Sequence, residues 1–449
     1  MREPAVWPIV TVQLPVYNER YVVERLLDAV GALDYPADRL QIQVLDDSTD
    51  ETCAIIDRVT ARLRASGKEV AVIRRARKTG FKGGALAAGT AEARGEFIAI
   101  FDADFLPPPA FLKQTIPHFA GARVGCVQTR WGHVNADYSL LTRLQAAGID
   151  GHFMVEQEAR NRMGWFIGFN GSAGVWRKTC IESAGGWHPD TLTEDLDLSY
   201  RAQLAGWTFT FLTDVVAPAE VPAQMDAYRR QQFRWAKGSV QTAKKLLPAL
   251  WRAPLSPAVK LQGTLHLTGY LMHLLMVIAF VLTVPVSLVQ SPVLALLPYL
   301  ALTMVGPFCL YGTAVWRRSR SVLNLLGTLV MLVVLGTGMS INNARAAVEA
   351  LLGINSAFRR TPKFDLRSRA DQWRASRYSL PNDPMVWAEL SAAALAIGYT
   401  ANALWHHGLV NDWLLIYALA YSYVSSLSLY QGLGRALIRR RAMPPSAAE

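Results

Sequence analysis

The chain has 449 residues, 51% of them apolar, and its 46 Lys and Arg against 35 Asp and Glu give a net charge of +11. That length fits two or three domains. The basic residues lie beside apolar runs and in short loops, which points to orientation against a membrane and argues against nucleic acid as a partner. Cys53, Cys126, Cys180 and Cys309 show neither metal nor disulfide spacing and read as buried thiols of a reducing compartment.

In chain order, short β-branched runs at Ile9–Leu14, Ile42–Leu45, Val70–Ile73 and Phe97–Phe101 alternate with helical apolar spacing over Tyr21–Leu33, Glu51–Ser66 and Gly83–Arg94. The alternation predicts a mostly parallel sheet covered by helices, with a ligand at the C-terminal strand ends. Ile9–Leu14 reads as a core strand and leaves no room for a signal peptide. This strand runs into Pro15-Val16-Tyr17-Asn18-Glu19, which lacks the Gly-x-Gly-x-x-Gly of a dinucleotide site and the glycine loop of a nucleotidase.

Acids stand at the strand ends. One strand closes on Asp46-Asp47-Ser48-Thr49-Asp50, another on Asp102-Ala103-Asp104. Strand side chains alternate faces, so Asp102 and Asp104 are expected to emerge together, and paired carboxylates suit Mg²⁺ or Mn²⁺ carrying a diphosphate. Asp50 also reads as the N-cap of the next helix. The basic loop Lys78–Gly84 precedes a helix, so Lys82 and the helix N-terminus can face an anion. Thr193 looks like an N-cap that sets Asp195 in a first turn, where acids also complement the helix dipole. Gln231, Arg234 and Trp235 then supply an amide, a guanidinium to grip a diphosphate and an indole to stack on a sugar.

Pro15-Val16-Tyr17-Asn18-Glu19, Asp46-Asp47, Asp102-x-Asp104, Thr193-Glu194-Asp195 and Gln231-x-x-Arg234-Trp235, in this order, resemble the processive family-2 glycosyltransferases of the cellulose synthase superfamily. The wording of Gln43–Asp50, Ala99–Phe105, Gly168–Arg177 and Ala184–Trp187 is similar to the plant cellulose-synthase-like A group, the mannan and glucomannan synthases. The resemblance runs from about residue 9 to 380. It implies a GT-A type nucleotide-sugar domain followed by a helical membrane domain. It also implies metal-dependent, inverting transfer of a hexose from GDP-mannose or UDP-glucose to a growing polysaccharide, with the polymer passed through the membrane helices. The alternative is a single transfer to a lipid acceptor, diacylglycerol or ceramide.

By matching position, the resemblance puts Tyr17, Glu19, Asp46, Asp47, Lys82, Asp102, Gln231 and Arg234 on the nucleotide sugar and Asp102 and Asp104 on the metal. Asn170, Glu194 and Trp235 would meet the acceptor, and Asp195 would be the general base. Phe358-Arg359-Arg360-Thr361-Pro362-Lys363 resembles the family's gating loop, carried by Phe358, Thr361 and Lys363. Without the resemblance, it reads as a basic loop held on anionic lipid. The family carries membrane helices ahead of the catalytic domain, and no run of that length precedes Ile9.

Gly263–Gln290 with Pro292–Val315, and Met385–Trp405 with Trp413–Gly434, read as two membrane hairpins. Within them, Glu389 is a functional candidate that could reach the interface, and His266 and His273 are packing residues. Ser321–Asn342 is long enough to span, but placing it in the interface keeps Arg345, Arg359 to Arg377 and the Arg435–Arg441 tail on one side. The expected layout is a cytosolic catalytic domain over 1–222, interface helices over 223–260, hairpins over 261–317 and 384–434, an interface helix over 318–357, a gating loop over 358–383 and a tail over 435–449. This makes four spanning helices and one interface helix. An Arg-over-Lys bias adds the expectation of a multi-pass protein of a bacterial inner (plasma) membrane.

Overall fold

The computed structural model describes residues 4, 6–288, 302, 304–356, 359–407 and 412–442. The first half is one seven-stranded sheet: β1 Val10–Val16, β2 Leu40–Asp46, β3 Glu69–Ile73, β4 Phe97–Ile100, β5 Val124–His133, β6 Gly174–Arg177 and β7 Thr208–Ala219. The order is β3-β2-β1-β4-β6-β5-β7. β1 runs parallel to β2 and β4, β2 to β3 and β5 to β7, while β6 is antiparallel to both its neighbours. This is the GT-A arrangement, and the four strands expected from sequence form its parallel side.

Alternation along β4 shows how the sheet separates two cores. Phe97, Ala99 and Phe101 join the core under the helices Val23–Gly31 and Thr52–Ala65, whereas Ile98 and Ile100 join Leu86, Trp176 and Leu198 on the opposite face. A strand buried on both faces needs apolar side chains at every position, which is why β4 reads as an unbroken apolar run. β1 lies between two parallel partners, so its C-terminal end opens between β2 and β4, where ligands meet such sheets.

The helix Met225–Arg252 joins the sheet domain to the helical half. Its start is held by the C-terminal region: Gln224 exchanges hydrogen bonds with Leu380, and the Met225 N–H donates to Gln431 at 2.8 Å. Ser428 donates to Asp226 at 3.0 Å, and Arg229 pairs with both Asp226 and Glu389. Glu389 therefore does not reach the interface, as the sequence allowed: it is fully buried against a guanidinium. His266 packs as expected, its Nδ1 lying 2.8 Å from the Tyr200 hydroxyl.

Four spanning helices are not found among the described residues. One helix, Trp413–Ile438, is long and apolar enough to cross a membrane by itself. Two bent pairs bring the number to three if each is one span: Pro257–Thr268 with Leu271–Thr283, bent by 63°, and Val322–Gly338 with Ser340–Leu351, bent by 44°. The run from Gly263 is thus broken near Gly269, and part of Pro292–Val315 lies outside the described residues. Val322–Gly338 packs along Asp412–Ala442, where Val424 lies against Gly338. Leu275, Val281, Leu395, Leu419 and Leu433 are all more than half exposed, an apolar surface of the kind that faces lipid. The cysteines are free, and Cys309 is exposed where a buried thiol was expected.

Candidate active site

A cavity of about 350 Å³ opens where β1, β2 and β4 end. Tyr17 and Glu19 enter from β1, Asp47 from β2, and Asp102 and Asp104 from β4. Asn18 takes a positive φ of 55°, and its side chain accepts the Thr49 N–H at 2.8 Å, so the β1 and β2 loops are tied together. Lys82 stands in the first turn of the helix Phe81–Glu92, which starts at left-handed Gly80.

The two aspartates reach the cavity differently from the expected pleat. β4 ends at Ile100, and the Phe105 N–H bonds back to the Asp102 carbonyl at 3.0 Å, so a turn, not a strand, carries them. Each meets one lysine: Lys82 Nζ is 2.5 Å from Asp102 Oδ1, and Lys363 Nζ is 2.5 Å from Asp104 Oδ2. Burial opposes the charge on Lys82, but Asp102, Glu194 and Asp195 outweigh it and hold the ammonium above its ordinary range. Hard carboxylates on one short turn, beside space for diphosphate oxygens, are a donor set that fits a divalent cation such as Mg²⁺ or Mn²⁺, which Asp102 and Asp104 could hold.

Asp195 lies in the first turn of the helix Glu194–Leu204. Thr193 stands at the N-cap position, as expected, but its side chain makes no capping hydrogen bond; its hydroxyl lies 3.3 Å from that of Thr242. Asp195 Oδ1 accepts the Leu196 N–H at 2.8 Å. Burial and the neighbouring Glu194 push its pKa up to about 7, against the pull of Lys82 and Arg234. Gly171, at φ +82°, is the residue facing it: a Cβ there would lie 2.8 Å from Asp195 Oδ2, and the Gly171 carbonyl accepts from Lys82 at 2.7 Å. A carboxyl titrating near neutrality, with a cation and backbone closely packed around it, has the properties of a general base.

Gln231, Arg234 and Trp235 all line the cavity, because spacings of three and four residues put them on one face of Met225–Arg252. Asn170 is fixed from three sides: its backbone N–H donates to Gln128, its side-chain Oδ1 accepts from Gln157 at 3.0 Å, and its side-chain Nδ2 meets His152 Nε2 at 3.0 Å. His152 and Gln157 belong to a π-helical turn, His152–Gln157, of a kind common at functional sites. Trp131, over Phe105 and Phe153, adds an aromatic wall.

Of the residues expected in the site, Tyr17, Glu19, Asp47, Lys82, Asp102, Asp104, Asn170, Glu194, Asp195, Gln231, Arg234, Trp235, Thr361 and Lys363 all line this one cavity. Asp46 does not. Its carboxylate is buried and taken up by the Ser48 N–H at 2.9 Å and by Arg74 at 2.7 Å, so it shapes the loop and faces no ligand. Asp50 accepts the Thr52 N–H at 3.0 Å at the start of Thr52–Ala65, but it stands one residue before the N-cap position, which Glu51 occupies. Phe358 lies outside the described residues. The sequence reading missed Arg360, which pairs with Glu19 at 2.6 Å, and Glu220, whose carboxylate accepts the Phe364 N–H at 2.8 Å. Burial, partly offset by Arg360, raises Glu19 to about 7. Glu220 ends β7 as the aspartates end β2 and β4, a signal that could have been read.

Fold and site together are those of a glycosyltransferase of GT-A architecture. A family model described as "Glycosyltransferase like family 2" matches residues 8–238, and the chain belongs to glycosyltransferase family 2. It is 41% identical over 313 residues to a rice protein named probable glucomannan 4-beta-mannosyltransferase 4, covering 68% of this chain and 56% of that one. To rice glucomannan 4-beta-mannosyltransferase 1 it is 34% identical over 403 residues, covering 87% and 76%. To the protein of that name from Cyamopsis tetragonoloba it is 36% identical over 354 residues, covering 78% and 67%. Among solved structures, a mannosyltransferase from Pyrobaculum calidifontis in complex with GDP-Man and Mn²⁺ shares the fold at 23% identity, with a TM-score of 0.53 over 79% of this chain and 90% of that one. The expectation of a multi-pass protein of a bacterial inner membrane is corrected here. These curated relatives are plant proteins, and the described residues hold one helix able to span alone.

Proposed function

We propose that the protein is a membrane-associated mannosyltransferase that moves a mannosyl group from GDP-mannose to the end of a β-linked mannan or glucomannan chain, with inversion and with Mg²⁺ or Mn²⁺ as cofactor. The observation that carries this reading is Asp195. Its carboxyl, near 7 and close to Lys82 and Arg234, shares one cavity with Asp102 and Asp104. The choice of mannose is supported by the names of the rice and Cyamopsis relatives, and the metal by the aspartate pair.

In this reading Asp47, Tyr17 and Arg75, which pairs with Asp47, frame the nucleoside end of the donor. The cation held by Asp102 and Asp104 would neutralise the departing diphosphate. Arg234 grips a phosphate, Lys82 adds positive charge beside it, and Trp235 offers a flat face to the acceptor sugar. Asp195 takes the proton of the acceptor hydroxyl as that oxygen attacks the anomeric carbon, and the carbon–oxygen bond to the diphosphate breaks on the opposite face.

The test is to incubate purified protein in lipid nanodiscs with labelled GDP-mannose, UDP-glucose and other sugar nucleotides, with and without Mn²⁺ or Mg²⁺, and to size the product. The expected result is metal-dependent incorporation from GDP-mannose into oligosaccharide. Transfer of one sugar to extractable lipid would replace the polymer reading, and no turnover of any sugar nucleotide would overturn the function.

A further inference from the structure

Behind the loop that closes the first cavity lies an open cleft of about 630 Å³. Five arginines line it, Arg230, Arg359, Arg360, Arg377 and Arg435, with Tyr378 and without a single acidic side chain. They come from four parts of the chain: the Met225–Arg252 helix, the loop at 359–362, the segment 377–381 and the helix Asp412–Ala442.

A solvated charged face spreads its like charges and mixes them with acids. Here guanidinium groups converge instead. Burial and, after it, the neighbouring Arg359 hold Arg230 below its ordinary range, against the opposing pull of Asp383 and Asp226. Acids stand around the cleft and not in its lining: Arg360 turns to Glu19 in the first cavity, Arg377 lies 3.4 Å from Glu51, Asp50 accepts the Tyr378 hydroxyl, and Asp383 and Asp226 act on Arg230. Guanidinium groups match phosphate oxygens in paired hydrogen bonds, and several together select an anion of more than one charge.

We propose that this cleft is a regulatory binding site for a multiply charged, phosphate-bearing anion, supplied by a lipid headgroup or by a soluble polyphosphate. A lipid source has support from Arg435, which stands between Leu433 and Leu437, exposed at 66% and 60% near the end of the helix able to cross a membrane. The link to catalysis is Arg360, which lines both cavities and rests on the Tyr378 ring at 4.3 Å. The next residues, Thr361 and Lys363, line the first cavity, where Lys363 holds Asp104. An anion that draws Arg359 and Arg360 into the cleft loosens the contact with Glu19 and shifts the segment that carries Lys363. This consequence for donor binding rests on the proposed function; the site itself does not.

The test uses the full chain in phosphatidylcholine nanodiscs, comparing wild type with the double variant Arg377→Gln/Arg435→Gln, whose thermal unfolding is checked first. In EDTA, with metal-dependent donor binding switched off, inorganic tripolyphosphate is titrated by calorimetry. In a parallel arm, retention of cardiolipin, whose headgroup carries two phosphates, is measured by native mass spectrometry. Binding of tripolyphosphate at least tenfold weaker in the variant supports a soluble source. Loss of cardiolipin retention alone supports a headgroup. Equal behaviour of wild type and variant toward both probes overturns the site.

Donor coupling is read separately, from GDP-mannose affinity in Mn²⁺ with the cleft loaded or empty. A shift of at least threefold in wild type and none in the variant is expected, and equal affinities overturn the regulatory role while leaving the site. Failure of the proposed function is distinguishable, since GDP-mannose would then bind neither protein while the anion results stand.

Discussion

Lys363 Nζ lies 2.5 Å from Asp104 Oδ2, an ion pair closed across 259 positions of sequence that brings a loop of the helical half onto the end of β4. The ammonium and a divalent cation compete for the same carboxylate. Both partners are largely shielded from solvent, so salt screens the pair less than it screens an exposed one. Lys363→Met is expected to lower the metal concentration needed for half-maximal donor binding by about tenfold, as 1.4 kcal/mol of lost competition would. Calorimetry at varied Mn²⁺ measures it, and a rise in that concentration would show that Lys363 supports the metal-loaded state.

Asp195→Asn keeps the shape of the side chain but cannot take a proton. Transfer should fall by about 10²–10⁴, the usual contribution of a general base, while donor binding stays within twofold. In the wild type the carboxyl titrates near 7, so kcat/KM should rise with pH along a limb centred about there, and the limb should be absent from the residual activity of the variant.

The same group gives a stability test of opposite sign. A carboxyl whose folded pKa lies above its unfolded value takes up a proton on folding. Its contribution is therefore complete below the ordinary carboxylate range and is lost as pH rises through about 7. Asp195→Asn should unfold at a higher temperature than wild type at pH 8 and show no such gain at pH 4. Thermal unfolding at the two pH values checks it.

Trp235 offers a sugar a flat face without fixing its register, which suits an acceptor that must advance after each transfer. Trp235→Ala should shorten the product by more than it weakens donor binding. Gel or mass-spectrometric sizing against donor affinity decides it, and an unchanged length distribution would remove Trp235 from the acceptor path.

Arg229 and Glu389 are both fully buried. Glu389→Ala takes one of two carboxylates from the Arg229 guanidinium, which keeps Asp226, and should cost up to about 3–5 kcal/mol, whereas Arg229→Leu with Glu389→Leu, which leaves Asp226 its Ser428 hydrogen bonds, should recover part of that loss. Thermal unfolding in nanodiscs measures both, and a double variant no better than the single would mean the helices need the charges themselves.

Sequence alone determined the parallel side of the sheet, since β4 is an apolar run buried on both faces, β1, β2 and β3 are short runs rich in β-branched residues, and helical spacing separates them. It marked most of the cavity as well, because acids follow β2 and β4 and the spacing of Gln231, Arg234 and Trp235 already fixes a shared helix face, whereas a turn, not the pleat, carries Asp102 and Asp104 into it. The other strands were beyond it: β5 carries Gln128, Thr129 and Arg130 among its apolar residues, and β6 has only four residues. Only tertiary structure turned Asp46 toward Arg74 and brought Arg360 to Glu19 and Lys363 to Asp104, because those partners lie far apart in the chain and no periodicity links them. It also decided the helical half. Apolar length marks a segment as fit for lipid but cannot show that Gly263–Gln290 breaks, that Val322–Gly338 packs along the last helix, or that Glu389 meets a buried arginine. Those outcomes depend on which surfaces the neighbouring helices present.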